Sequence, residues 1–213
     1  MRKEETPDLS LFIDILRTLE TIGAPYMIIG AFAAAMYGTT RTTYDIDIVV
    51  DLSEEHIRLL AAAYPSPRYS ADPLQMRDSI RLGIMFNIID SSRGEKADLI
   101  PLTMATGHRR AFRRRVRHTL QYPGCAPFDA WYARAEDVII GKLEAWQEGR
   151  SRKHETDIYQ MLVFYYMKAD PQQAAAWDDA YLEGQVRTMG ADVIEFWQRV
   201  KEAAHKEAKR VSQ

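Results

Sequence analysis

The 213-residue sequence is short of several things at once. It has a single cysteine, Cys125, so no disulfide can close within the chain, which suits a reducing compartment. Cys125 lies in a Pro-Gly-Cys-Ala-Pro stretch, a loop by composition, and no cysteine–histidine arrangement surrounds it to make it a nucleophile. No window approaches the roughly 18 continuous apolar residues of a membrane span. The opening MRKEETPDLS is charged and lacks the apolar core of a secretory signal, so the expected location is the cytoplasm. Nor does one sign of charge dominate. The formal net charge of -2 means that any nucleic-acid binding would need a local basic patch. The five histidines show no metal-ligand spacing, and His154 and His205 read as surface residues.

What is present is ordinary globular material, 46% hydrophobic and 27% charged. A chain of this length buries roughly 70% of its unfolded surface and needs no staple. Leu9, Phe12, Ile13, Leu16 and Leu19 recur at spacings of three and four, which predicts a helix over 8–21, capped by Asp8 or Ser10. Tyr26 to Ile29 is a strand-length apolar run, and AFAAAMYG after Gly30 reads as a short helix. DIDIVVD, from Asp45 to Asp51, alternates with period two and is a strand. Ser53 caps a helix to Ala63, and a shorter helix is expected over 74–81. Two strands, 84–89 and 96–102, flank the turn SSRGE as a hairpin. A helix over 103–114, an extended segment over 115–122 and a last strand near 128–134 follow. Beyond residue 134 strand signals vanish, and helices are expected over 136–148, 154–168, 171–183 and 190–210, the last fraying at its polar end. The reading is an α+β fold: a mixed sheet flanked by helices over 1–134, then a helical bundle over 135–213.

The informative segment runs from Ile29 to Val50. Residues two apart on a strand share a face, so Asp45 and Asp47 project together. Two carboxylates so close repel and raise each other's pKa, and a fold keeps such a pair mainly when a cation sits between them. Mg²⁺ prefers carboxylate and phosphate oxygens. Asp98, isolated in the apolar ADLIP strand with Ala97 and Leu99 turned away, is the third acid that would complete the cage. Asp51 and Asp90 lie at strand ends, where solvated acids are ordinary. Gly30 and the following N–H of Ala31 leave backbone donors for phosphate oxygens, and Arg41 and Thr43 precede the carboxylates.

This segment resembles the nucleotidyltransferase superfamily, whose signature is Gly-Gly or Gly-Ser, a spacer, Asp-x-Asp on a strand and a later third acid. Arg41-Thr42-Thr43-Tyr44-Asp45-Ile46-Asp47 resembles the Arg-x-Thr-x-Asp-hydrophobic-Asp string of its AbiEii-like, toxin–antitoxin branch. Glu136-Asp137-Val138-Ile139-Ile140-Gly141-Lys142-Leu143, then Arg150 through Lys153 to Asp157-Ile158, resembles that branch's downstream motifs. The resemblance covers about residues 24–162. It implies that Asp45, Asp47 and Asp98 bind Mg²⁺ or Mn²⁺, that Lys142 contacts phosphate, and that Asp157 supports the lysine or the site. It implies transfer of a nucleoside monophosphate from an NTP to an acceptor hydroxyl, with RNA or tRNA as acceptor and an antitoxin as partner. Two departures stand out. Ala31 replaces the second Gly or Ser, and Lys153-His154 replaces the usual basic-Asp pair.

On a helix, Arg110, Arg113, Arg114 and Arg117 of HRRAFRRRVRH would share a face, either binding RNA phosphates or standing solvated and paired with acids. Asp157 could also cap its helix, or pair with Arg150 or Lys153 beside it. Three functional classes stay open: transfer to RNA, transfer to a small molecule such as an aminoglycoside or to a protein, and nucleotide binding without turnover.

Overall fold

The computed structural model describes residues 9–41, 43, 46–122 and 124–211. They form an α+β protein in two compact units. The first comprises Met1–Phe32 with Thr42–Ala133, and the second Ala33–Arg41 with Arg134–Gln213.

The first unit is built on a seven-stranded mixed sheet. Its strands are β1 (Tyr26–Ile28), β2 (Asp47–Val50), β3 (Tyr69–Ser70), β4 (Phe86–Asp90), β5 (Glu95–Pro101), β6 (Val116–Leu120) and β7 (Phe128–Tyr132), in the spatial order β3-β4-β5-β2-β1-β7-β6. The β2–β5 and β1–β7 pairs are parallel, and the others are antiparallel. The expected hairpin is β4–β5. Asp90 organises its turn by accepting from the backbone N–H and hydroxyl of Ser92 and pairing with Arg68, which pushes its carboxyl down to about 2. That acid is structural.

Helix α1 (Ser10–Thr21) buries Leu11, Phe12, Ile13, Ile15, Leu16 and Leu19, the apolar stripe that the spacing predicts. Its start differs from expectation. Leu9 is the N-cap without any side-chain cap, its N–H instead donating to the Tyr122 hydroxyl at 3.1 Å, and Asp8 lies outside the described residues. Helix α2 (Gly30–Ala35) carries the chain from the first unit into the second. In α3 (Glu54–Ala63) the expected cap at Ser53 is present and is reciprocated by the His56 side chain. Helix α4 (Pro73–Leu82) is capped by Asp72 and closed by Gly83, whose φ of +66° suits a residue without Cβ. Helix α5 (Thr106–Arg114) precedes β6.

The second unit contains α6 (Ala135–Gly149), α7 (Arg152–Tyr166), α8 (Pro171–Ala176), α9 (Asp179–Val186) and α10 (Ala191–Val211). Val193, Phe196, Trp197, Val200, Ala204 and Ala208 give α10 one buried stripe, and Phe196 stacks on Trp146 of α6 with ring centroids 3.8 Å apart. The helix expected over 171–183 is two helices. Asp178 accepts the backbone N–H of Tyr181 and starts α9 anew. Buried acids of α6 are satisfied locally, Glu136 by the Asp178 N–H at 2.6 Å and Asp137 by the Tyr181 hydroxyl at 2.5 Å. Among the described residues no helix is long and apolar enough to cross a membrane.

Candidate active site

In the first unit the candidate acids meet where β2 begins. Asp47 and Asp98 are direct register partners on the parallel strands β2 and β5, so their side chains leave the same face of the sheet. Ile48 and Leu99, one residue on, are fully buried on the other face, and Ala97 is buried beside them, which is why the two acids stay half-exposed. The turn at Gly30 is pressed against Asp47. Gly30 has φ of +68°, and a Cβ placed there would collide with Asp47 Oδ2 and lie 3.1 Å from Asp47 Cγ. The backbone N–H of Ile29 donates to the Asp47 carbonyl at 3.0 Å and locks the two segments together. Glycine is therefore needed twice here, for its backbone conformation and for the space it leaves.

Two residues that sequence reasoning passed over hold Asp98. Asn87, its register partner on β4, donates from Nδ2 to Asp98 Oδ1 at 2.5 Å. Lys96, two residues earlier on β5, places Nζ 3.2 Å from Oδ1 and 3.4 Å from Oδ2. Strand alternation was the available signal for Lys96, whereas Asn87 required the β4–β5 register.

Asp45 lies outside the described residues, as do Thr42 and Tyr44. Among the described residues no three His, Cys, Asp or Glu side chains gather as a metal-binding group. What is described is two oxygen donors in register, a set that fits a hard divalent cation. Thr43 is half-buried in the connection from α2 to β2, and Asp51 is exposed, its N–H bonded to the Pro25 carbonyl.

The second unit brings three of the expected residues together around one carboxylate. Asp157 on α7 is completely buried. Arg41 grips it with a fork, Nε donating to Oδ1 at 2.9 Å and Oδ2 at 3.1 Å and Nη2 to Oδ2 at 3.1 Å. Lys142, buried on α6, donates from Nζ to Oδ2 at 2.5 Å. Burial alone would raise the Asp157 carboxyl, but the hydrogen bonds and charges of Arg41 and Lys142 outweigh it and hold the group below its ordinary value. Asp157 thus pairs with residues 15 and 116 positions away, not with its neighbours Arg150 or Lys153. Arg150 instead bonds Asp192 and lies over the Trp146 ring. His154, expected at the surface, is half-buried, and its Nδ1 is enclosed without a hydrogen-bond partner among the described residues. Burial, then the Lys142 and Lys153 charges, lower its pKa. Gly38, at φ of +95°, lets the loop after α2 meet α7, since a Cβ there would lie 2.5 Å from Phe164 Cβ.

Structural neighbours include a nucleotidyltransferase-like protein. It is an antigenic protein from Paracoccidioides brasiliensis, 18% identical over 72% of this chain and 74% of its own, with a TM-score of 0.44. JHP933 from Helicobacter pylori is 13% identical over 95% of this chain and 92% of its own, with a TM-score of 0.40. The antibiotic-resistance factor ANT(2'')-Ia is 14% identical over 96% and 94%, with a TM-score of 0.37. At these values the likeness lends this chain no substrate and no residue roles. No protein-family model and no curated protein matches the sequence.

The arginine run does not form one helical face. Arg110, Arg113 and Arg114 are on α5, which ends there, and Arg117 is on β6, where it pairs with Glu20 at 2.7 Å and lies over the Trp131 ring. Cys125 is a free, partly buried cysteine.

Proposed function

We propose that this chain is a metal-dependent nucleotidyltransferase that moves a nucleoside monophosphate from an NTP to an acceptor hydroxyl. The observation that carries the reading is the fit of the Gly30 turn onto Asp47, with Asp98 in register beside it. A half-exposed pair of acids on adjacent strands, with a glycine turn whose backbone closely approaches one of them, supports a cation-binding nucleotide site. Asp45, Asp47 and Asp98 hold Mg²⁺ or Mn²⁺. A divalent cation held there would supply positive charge against the triphosphate and Lewis acidity at the reacting phosphoryl group. Backbone N–H groups of Gly30 and Ala31, with Thr43, position phosphate oxygens. Asp98 takes the proton of the acceptor hydroxyl as the new O–P bond forms and pyrophosphate leaves. In the second unit Asp157 holds Arg41 and Lys142, the phosphate contacts that the sequence motif implies. RNA, with tRNA foremost, is the acceptor class, contacted through Arg110, Arg113 and Arg114 with a smaller share from Arg117. The chain acts in the cytoplasm as the toxin of a toxin–antitoxin pair.

Ala31 and Lys96 favour a second reading, a nucleotide-binding module without turnover. Ala31 keeps an N–H but offers no hydroxyl, and the Lys96 ammonium already sits on the acid that would serve the acceptor.

The test is incubation with each of four α-³²P-labelled NTPs, Mg²⁺ and total tRNA, beside the Asp47→Ala variant. Label moving to tRNA only with the intact acid supports transfer and names the base. Mg²⁺-dependent binding with no label on tRNA, an aminoglycoside or added protein favours the module. Absence of any nucleotide binding overturns both readings.

A further inference from the structure

In the second unit more positive charge surrounds Asp157 than that acid can match. The segment after α2 is fastened to α7 at three points. Gly38 lies against Phe164, Thr40 and Gln160 exchange two hydrogen bonds of 3.1 Å, and Arg41 forks onto Asp157. The fork uses Nε and Nη2, and no described residue accepts from Arg41 Nη1. The Arg41 side chain is 38% exposed, so the rest of its guanidinium reaches solvent. Lys142 meets Asp157 from the buried side. Lys153 is exposed on α7 and has no hydrogen bond or ion pair among the described residues. Arg41, Lys142 and Lys153 thus act on the neighbouring His154 against a single acid, Asp157. Other charges near this end of α7 are already matched. Glu155 faces Arg199 of α10 at 4.0 Å, and Arg150 bonds Asp192.

His154 suits this surplus. Its Nδ1 is enclosed without a partner among the described residues, so Nε2 is the nitrogen that can meet a ligand. An enclosed N–H without an acceptor is rarer in proteins than an enclosed bare acceptor, which places the proton of the neutral ring on Nε2. Burial, then the Lys142 and Lys153 charges, favours that neutral ring over the imidazolium. A cation arriving here would meet donors and like charges. An anion would meet Arg41 Nη1, the Lys153 ammonium and the His154 N–H. Guanidinium and ammonium groups are the usual phosphate donors, and a surplus spread over several side chains suits an anion that carries several charges along its length.

We infer that Arg41, Lys153 and His154 form an anion subsite of the second unit that takes a polyphosphate chain, with the imidazole donating from Nε2 to a phosphate oxygen. Lys153-His154, the pair at which the sequence departs from the motif it resembles, thereby acquires a role. The inference rests on the nucleotidyltransferase reading only for the source of that chain, the triphosphate of an NTP. The site itself stands on the unpaired donors and the charge surplus around Asp157.

The probe is inorganic triphosphate without metal, titrated into the full chain by calorimetry at low salt. His154→Ala should weaken binding about 10-fold, and Lys153→Gln about threefold. His154→Gln keeps a donor near the Nε2 position and should restore most of the affinity at about pH 8. Lys153 is exposed and unpaired, so its variant should melt with the parent and reports on binding even where a His154 variant does not fold. From about pH 8 to about pH 6 the ratio of parent to His154→Gln affinity should rise, because the bound anion favours the imidazolium. Taking the ratio cancels the titration of triphosphate itself. Unchanged affinity in the variants, a flat ratio or no triphosphate binding would each overturn the inference. So would an RNA oligonucleotide with hydroxyl ends that displaces triphosphate at equal phosphate concentration, because the subsite would then belong to an RNA backbone. Triphosphate binding by a chain that transfers no nucleotide leaves the subsite standing and removes the transferase reading. Transfer indifferent to His154→Ala and Lys153→Gln removes the subsite alone.

Discussion

Asp47 and Asp157 are both aspartates among apolar neighbours, and the two units treat them in opposite ways. In the second unit Asp157 is fully buried, and Arg41 and Lys142 neutralise it from within the fold. In the first unit Asp47 and Asp98 stand in register, half-exposed, two acids side by side with the Gly30 turn packed closely against Asp47. A buried acid with resident cations is finished as built, and removing a partner leaves an uncompensated charge. A pair of half-exposed acids in register keeps access to solvent, and of the two Asp98 carries Asn87 and the Lys96 ammonium. The difference separates a carboxylate that organises other side chains from carboxylates that remain open to solvent, as the proposed metal site needs.

The sharpest way to break this comparison is to remove one acid from each unit. Asp47→Ala should lower nucleotidyl transfer by more than about 100-fold, the upper range for losing an outer-shell partner of a metal, while urea unfolding shifts by less than about 1 kcal/mol. If stability falls and transfer survives, the contrast has been drawn the wrong way round. Asp157→Ala should do the reverse in urea, costing about 3–5 kcal/mol because Lys142 remains buried without its acid. A loss under about 1 kcal/mol would mean that the Asp157 cluster is dispensable to the fold.

The pH dependence of the second effect has a definite sign. The folded pKa of Asp157 lies below its ordinary 3.8. Its contribution is therefore complete above that value and is lost as pH falls through the lower folded pKa. Urea midpoints of the parent and Asp157→Asn, measured from pH 7 to pH 2, should stay separated down to about pH 4 and converge below it. A gap that persists unchanged at the acid end contradicts the ion-pair account.

Gly30→Ala probes the space beside Asp47. The methyl group meets the carboxylate, and the positive φ adds about 1–2 kcal/mol of backbone strain. Mg²⁺-dependent nucleotide binding, followed by calorimetry, should weaken well beyond the modest fall in melting temperature. The smallest effect is expected from Lys96→Met. Removing an exposed ion pair of about 0.2–1 kcal/mol should tighten Mg²⁺ binding up to about fivefold, and no change would show that Lys96 does not compete with the cation.

Much of the first unit could be read directly. The alternation of DIDIVVD marks β2, the stripe from Leu9 to Leu19 marks α1, and Ser53 announces α3. Local physics decides these elements, since periodicity and capping operate within a few residues. The two-residue β3 left no signal, because two residues carry no period and the strand exists only through its pairing with β4. The break between α8 and α9 had a signal in Asp178, which competes with helix continuation by capping a new start. Arg117 left the arginine face because the helix gave way to β6, where Val116 to Leu120 pair with β7.

By itself the sequence determined which residues are the candidates for chemistry: an Asp-x-Asp after a glycine turn, a third acid in a later strand, and a lysine on an apolar helix. Local alternation and backbone preference are enough to specify those. Only the tertiary structure decided their company. It set Asp98 against Asp47 through the parallel β2–β5 register, brought Asn87 and Lys96 onto Asp98, and closed Arg41 and Lys142 on Asp157. Such pairings join residues far apart in the chain and depend on which strands and helices become neighbours, which no local pattern encodes.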